Sequence, residues 1–333
     1  MCKWSQMSHD GRMARRTGPD RERWILLADV ARAHYVEDRS KVDIAAQFGV
    51  SRFQVATLLK QARDQGVVTI EIRDPRRPSR DDDLARMLGV ERVQVVDVSG
   101  TTEIEGTERV GTAVMGALRQ TLRSRMTVGI SWSRTMDLAA KFLPDLPPCT
   151  IVQLAGALQV PGSGTLPQVI SNLGASPDIT TLPIHAPLVV DGAATARDLM
   201  RQPEIAQALE RADGLDLAVV AIGAWQAGES SVWEKVAAAD RDEALAAGAV
   251  GEISGRLFDA AGDHVATALD DRLIGVRYDQ LRRTPHVVAV AHGPARAAAV
   301  VAAAAAGFVT HLIVDSTLAE ALVDLLETLD DES

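Results

Sequence analysis

Five residues close together could hold an anion: Gly129, Ser131, Ser133, Arg134 and Thr135. They follow an apolar run that reads as a strand and lead into a helical pattern. Small residues let the backbone come close, hydroxyls donate hydrogen bonds, and a helix amino terminus favours negative charge. Arg134 adds a donor able to grip a phosphate with two nitrogens. The same residue types serve equally as an ordinary serine cap, so a phosphate cradle and a plain cap both stand at this point. Further along, Gly223 sits in an Ile222-Gly223-Ala224 stretch that reads as a close-approach turn. Glu252 stands beside a glycine turn, either accepting hydrogen bonds from sugar hydroxyls or lying on the surface. Arg296 falls in the first turn of a helix that begins after His292, Gly293 and Pro294. A cation there opposes the helix dipole unless an anion lies nearby. His292 could act as a base facing Glu252, although a lone histidine in a turn commonly does nothing of the kind.

A second set has a different chemistry. Ser51, Arg52, Phe53, Gln54, Thr57 and Lys60 open one short helical pattern. Gln54 can pair bidentately with adenine, and Arg52 with guanine or a phosphate. Lys60 and Arg63, further along, suit backbone phosphates of a DNA duplex. Each of these residues could also be plain solvated surface.

The elements that must position the second set are legible. Trp24, Leu27, Ala28, Ala31 and Tyr35 recur at helical spacing and predict one apolar stripe. Ser40 is a candidate N-cap with Asp43 three residues on, as in a capping box. Ile44, Ala45 and Phe48 face inward on the short helix that follows, and Gly49 ends it as a residue free to take positive φ. Ser51 caps a second helix held down by Val55, Leu58 and Leu59. A small residue at Ala45, a turn glycine four later and apolar residues beyond match a helix-turn-helix over residues 41–60. Residues 67–73 (VVTIEIR) alternate as a strand does and predict a small wing.

The first set belongs to a larger region. Residues 75–80 have the composition of a linker. Beyond them, strands are expected at 93–98, 126–131, 150–154, 179–182, 215–223, 287–291 and 312–314. Helices are expected at 105–123, 133–142, 205–211, 295–306 and 317–329. Strand–helix alternation predicts an α/β domain with a mainly parallel sheet, and such sheets bind ligands at the carboxyl ends of their strands.

Size and charge fit this division. A chain of 333 residues suits one large domain plus one small one. Residues 1–78 hold 15 Lys+Arg against 10 Asp+Glu, and the remainder holds 20 against 35. A basic head on an acidic body suits DNA at one end only. Cys2 and Cys149 make neither a disulfide framework nor a metal cluster. No apolar run reaches membrane-spanning length, the longest being 297–309, and the opening residues lack a secretory core. A cytoplasmic protein without metal or cofactor is expected. Residues 1–19 read as a disordered tail, with Met13 as an alternative start.

Several blocks in order resemble the SorC family of sugar-binding transcriptional regulators, relatives of the DeoR-type regulators. Its carriers are the helix-turn-helix, Ala62-Arg63 with Gly66-Val67-Val68, and Arg73-Asp74-Pro75. Residues 128–135 (VGISWSRT), 153–156 (QLAG), 186–188 (APL), 248–253 (GAVGEI), 255–259 (GRLFD), 274–276 (IGV) and 285–291 (PHVVAVA) continue it. The resemblance implies a winged helix-turn-helix over 20–74 and a Rossmann-like α/β effector domain over 81–333, related in fold to sugar-phosphate isomerases. It also implies a homodimer or homotetramer on palindromic operator DNA, and a sugar, polyol or sugar-phosphate effector. Carried over, Ser133, Arg134 and Thr135 would hold the phosphate, with Gly129, Ser131 and Gly223 shaping the pocket. Glu252 would meet sugar hydroxyls. Arg296 stands where the family usually has lysine, which keeps the charge but forbids an imine. His292 replaces a usual glycine, and Ala155 a residue often bulkier or basic. Residues 159–173, with Gln168 as one candidate contact, belong to the expected pocket rim. The expectation is therefore a non-enzymatic regulator whose operator affinity a small carbohydrate controls. The alternatives are an isomerase- or lactonase-like enzyme with an added head, and a head that only oligomerises.

Overall fold

The computed structural model describes residues 19–64, 67–68, 79–131, 133–139, 146–158 and 178–331. The chain divides into two compact units, Met1–Pro75 and Arg76–Ser333.

Three helices form the described part of the first unit: α1 (Pro19–Tyr35), α2 (Lys41–Phe48) and α3 (Arg52–Asp64). Their ends follow local chemistry. The Ser40 hydroxyl accepts the Asp43 N–H at 3.2 Å, and Gly49 closes α2 at φ 64°, its N–H donating to the Ala45 carbonyl. The Ser51 hydroxyl accepts the Gln54 N–H at 3.2 Å and starts α3. Leu27, Val30, Ala31, Ile44, Val55, Leu58, Leu59 and Ala62 form the buried core. Tyr35 departs from its expected stripe: it is 40% exposed, and its hydroxyl accepts from Arg63 Nη1 at 2.6 Å. Val30 and Ala33 fill the buried stripe of α1 with Leu27 and Ala31. The wing expected at 67–73 lies outside the described residues, apart from Val67 and Val68, which form no strand.

The first described helix of the second unit is α4 (Arg80–Leu88), which starts at the last residue of the stretch that reads as a linker. Ser79 and Asp82 cap it reciprocally, Ser79 Oγ accepting the Asp82 N–H and Asp82 accepting the Ser79 N–H. There follow β1 (Arg92–Val96), α5 (Glu103–Thr121), β2 (Thr127–Ile130), α6 (Arg134–Ala139), β3 (Cys149–Gln153) and β4 (Ile179–Leu182). Next come α7 (Ala193–Met200), α8 (Pro203–Arg211), β5 (Leu217–Ala224), α9 (Ala238–Ala246), β6 (Gly251–Ile253) and β7 (Arg256–Phe258). The chain closes with α10 (Tyr278–Arg282), β8 (His286–Ala291), α11 (Ala297–Ala305), β9 (His311–Asp315) and α12 (Ser316–Asp331).

Seven strands run in the order β1-β9-β8-β5-β2-β3-β4, with every neighbouring pair parallel. The antiparallel β6 continues from the end of β5, and β7 pairs with β6. Side chains alternate along a strand, so each face needs its own cover. Ala218, Val220 and Ile222 of β5 join one core with α4, α8, α11 and α12, while Leu217 and Val219 join another with α5. The chain winds outward from β2 through β3 to β4, then returns to the other side of β2 with β5 and continues to β8 and β9. The order reverses between β2 and β5, the place where α/β sheets open a crevice. Cys149 is buried at the start of β3. No helix among the described residues is long and apolar enough to cross a membrane.

Candidate effector cleft and DNA-reading helix

A cleft opens where β2, β5 and β8 end. Ser131, Ser133, Arg134 and Thr135 line it after β2, Gly223 and Glu252 from the paired strands β5 and β6, and Arg296 after β8. Seven of the eight expected effector residues thus meet in one place. Gly129 does not line it. A Cβ there would lie 2.5 Å from Leu154 Cδ2 and 2.9 Å from Leu215 Cδ1, so the glycine makes room for two core leucines.

Ser133 and Arg134 play separate roles. Ser133 Oγ accepts the Met136 N–H at 3.1 Å, so it caps α6. Arg134 is exposed and has no hydrogen-bond or ion-pair partner among the described residues. Ser131 and Thr135 are buried, and the Ser254 hydroxyl donates to Ser131 Oγ at 2.9 Å.

Glu252 is not a surface carboxylate. It is buried in β6, where Oε2 accepts the Gly255 N–H at 2.9 Å and Oε1 accepts the Ser230 hydroxyl at 3.2 Å. Burial raises its pKa above the ordinary value, and these hydrogen bonds oppose the rise. Gly223 faces it in register across β5 and β6. A Cβ on Gly223 would lie 2.6 Å from Glu252 Oε1, so the carboxyl group needs that glycine. Residues 222–224 are strand, not the expected turn; the antiparallel partner β6 extends β5 to Ala224.

Arg296 has its anion within the chain. Its Nη1 lies 2.6 Å from Glu229 Oε2, its Nη2 donates to the Glu229 carbonyl at 3.0 Å, and Nη1 also donates to the His292 carbonyl. Burial lowers the guanidinium pKa from its ordinary value, and Glu229 opposes that. The helix-dipole argument for an external anion at Arg296 is therefore answered by Glu229. His292 lines the same cleft, with its pKa lowered first by burial and then by Arg296, which leaves a neutral ring near pH 7. No hydrogen bond joins it to Glu252 among the described residues.

Glu229, Ser230 and Ser254 also line the cleft and were not foreseen. The signal for Glu229 and Ser230 was a polar Glu229-Ser230-Ser231 run five residues after β5. The expected rim at 159–173, including Gln168, lies outside the described residues. Among the described residues no group of three or more His, Cys, Asp or Glu is placed to hold a metal ion.

Ser51, just before α3, and Arg52, Phe53, Gln54, Thr57 and Lys60 on it are all exposed, Phe53 to 85%. Gln54 Oε1 accepts the Ser51 N–H at 2.7 Å, so pairing with adenine requires that side chain to swing away from the cap. Thr57 donates its hydroxyl to the Phe53 carbonyl at 3.1 Å. Arg63 is engaged with Tyr35.

A helix-turn-helix with an exposed second helix, joined in one chain to an α/β unit with a cleft at its switch point, defines a ligand-sensing DNA-binding protein. Residues 78–324 match the Sugar-bind family model, described as "Putative sugar-binding domain", and the chain belongs to this family of SorC/DeoR-type transcriptional regulators. It is similar to the deoxyribonucleoside regulator of Bacillus subtilis (strain 168), 29% identical over 92% of this chain and 99% of that protein. It is also similar to the transcriptional regulator LsrR of Enterobacter sp. (strain 638), 26% identical over 90% of this chain and 93% of the relative. The full-length sorbitol operon regulator SorC from Klebsiella pneumoniae shares the fold, with a TM-score of 0.73 and 21% identity over 90% of this chain and 98% of that one. A DeoR family transcriptional regulator from Listeria monocytogenes gives a TM-score of 0.65 and 26% identity over 73% of this chain and 98% of that one.

Proposed function

We propose that the cleft binds a phosphorylated sugar or polyol and that its occupancy sets the affinity of α3 for operator DNA. One observation carries the reading: Arg134, a cation without a partner among the described residues, and Glu252, a buried carboxyl group, line the same cleft at the sheet's switch point. A phosphate meets Arg134 beside the Thr135 and Ser131 hydroxyls, and sugar hydroxyls donate to Glu252. Arg52, Gln54 and Phe53 meet base edges, and Lys60 and Thr57 the phosphate backbone. A deoxyribonucleoside regulator and a sorbitol operon regulator among the similar proteins support a sugar-like effector.

Calorimetry on the full chain, comparing sugar phosphates with their parent sugars, tests this. A phosphorylated compound binds and its parent does not, and Arg134→Ala weakens that binding by about tenfold, the equivalent of one charged hydrogen bond. Parent sugar and phosphate binding alike, or an Arg134→Ala variant with undiminished affinity, contradicts it.

A further inference from the structure

Arg296 and Glu229 both line the cleft, yet the guanidinium is turned to the glutamate. Two of its nitrogens engage Glu229, one the carboxylate and the other the backbone carbonyl, and the side chains are only 14% and 27% exposed. We infer that Glu229 is a resident occupant of the anion site, holding Arg296 until a ligand phosphate replaces it, and that this exchange selects phosphates over carboxylates and neutral sugars. The inference rests on the phosphate reading of the cleft given above.

The selection follows from charge. A neutral sugar cannot displace a carboxylate from a partly buried arginine. A sugar acid replaces one monoanion with another and must shed its own water to do so. A phosphate carries more charge and three strong acceptor oxygens, so it can draw on Arg134 as well as Arg296. Those two cations already feel one another, since the charge of Arg134 depresses the Arg296 pKa.

Glu229 and Ser230, adjacent in the chain, hold Arg296 and Glu252 respectively, and Ser231 and Val232 line the cleft beside them. Trp225 and Trp233, edge to face at 5.3 Å, flank these residues, so release of Glu229 alters tryptophan fluorescence.

Calorimetry with inorganic phosphate and with acetate, on the wild-type chain and on Glu229→Gln, tests the inference. Wild type binds phosphate weakly and acetate not measurably. Glu229→Gln binds phosphate about tenfold more tightly, in line with loss of a competing charged hydrogen bond, and now binds acetate. Glu229→Asp, with the carboxylate one methylene shorter, falls between the two and serves as the test should the glutamine variant fail to fold. Variants whose affinities for both anions equal those of wild type overturn it. Phosphate that binds wild type, weakens with Arg134→Ala and ignores Glu229 sinks this inference alone. Phosphate bound by none of these proteins sinks the phosphate reading of the cleft with it.

Discussion

In the first unit the side chains assigned to DNA stand in solvent along one helix of 13 residues, whereas the cleft of the second unit draws on segments spread from Ser131 to Arg296. The helix owes its position to local contacts: Ser40 with Asp43, Gly49 with Ala45, Ser51 with Gln54. The cleft owes its chemistry to distant partners, Arg296 with Glu229 and Glu252 with Ser230. Exposed charges are screened, so residues on the DNA helix can change one at a time with little cost to the fold. Partly buried charges are coupled, so a change at one cleft residue alters what its partners do.

The sharpest way to break that contrast is Arg52→Ala together with Gln54→Ala. Binding to a duplex selected by this protein from random DNA should fall by about a thousandfold, toward the non-specific level. Sugar-phosphate binding, measured by calorimetry, should not change. Loss of both activities would end the claim that the helix is independent.

The next effect belongs to the second unit's interior. His311 is buried in β9 without a partner for Nε2 among the described residues, and burial pushes its pKa from 6.5 down to about 4. A depressed folded-state pKa gives stability that is whole above the unfolded value and is lost as pH falls toward the folded one. Between pH 6.5 and about 4 the loss should come to roughly 3 kcal/mol. Denaturant unfolding of His311→Gln should show that slope removed.

Two glycines then receive the same added methyl. Gly129→Ala presses on Leu154 and Leu215 and should cost about 1–3 kcal/mol of stability, as overpacking does. Gly223→Ala pushes on the Glu252 carboxyl group instead, and should weaken the sugar ligand while operator affinity without ligand stays the same. Equal effects from the two on ligand binding would show that the cleft is not as local as its lining suggests.

The smallest effect is at Glu252. Its raised pKa favours the protonated form in the fold, so that stability is present at low pH and lost as pH rises through the folded value. Unfolding of wild type against Glu252→Gln should show wild type losing ground from pH 4.5 upward. An opposite slope would mean that its hydrogen bonds outweigh its burial.

The same contrast explains what could be read from the sequence. Ser40, Gly49 and Ser51 announce α2 and α3 because a cap acts over three or four residues, and the apolar runs announce β2, β5 and β8 because both faces of a parallel sheet are buried. The start of α4 was signalled by Ser79 and Asp82 but lay next to proline-bearing residues that read as a linker. The β6–β7 hairpin was missed because each strand is three residues long and glycines surround it. Arg134, Gly223, Glu252 and Arg296 follow from reading residues after each strand. Glu229 does not, because its meaning depends on Arg296, 67 residues later in the chain. Gly129 misled because a glycine needed by the core and one needed by a ligand look alike in sequence.

The central claim is that the cleft and the DNA helix answer to one another. Titrating the wild-type chain on its selected duplex, with a sugar phosphate that the cleft binds and then with the parent sugar, measures this directly. The account predicts a change in DNA affinity of about 5- to 150-fold with the phosphorylated compound and none with the parent. DNA affinity that stays constant while the cleft fills would contradict it.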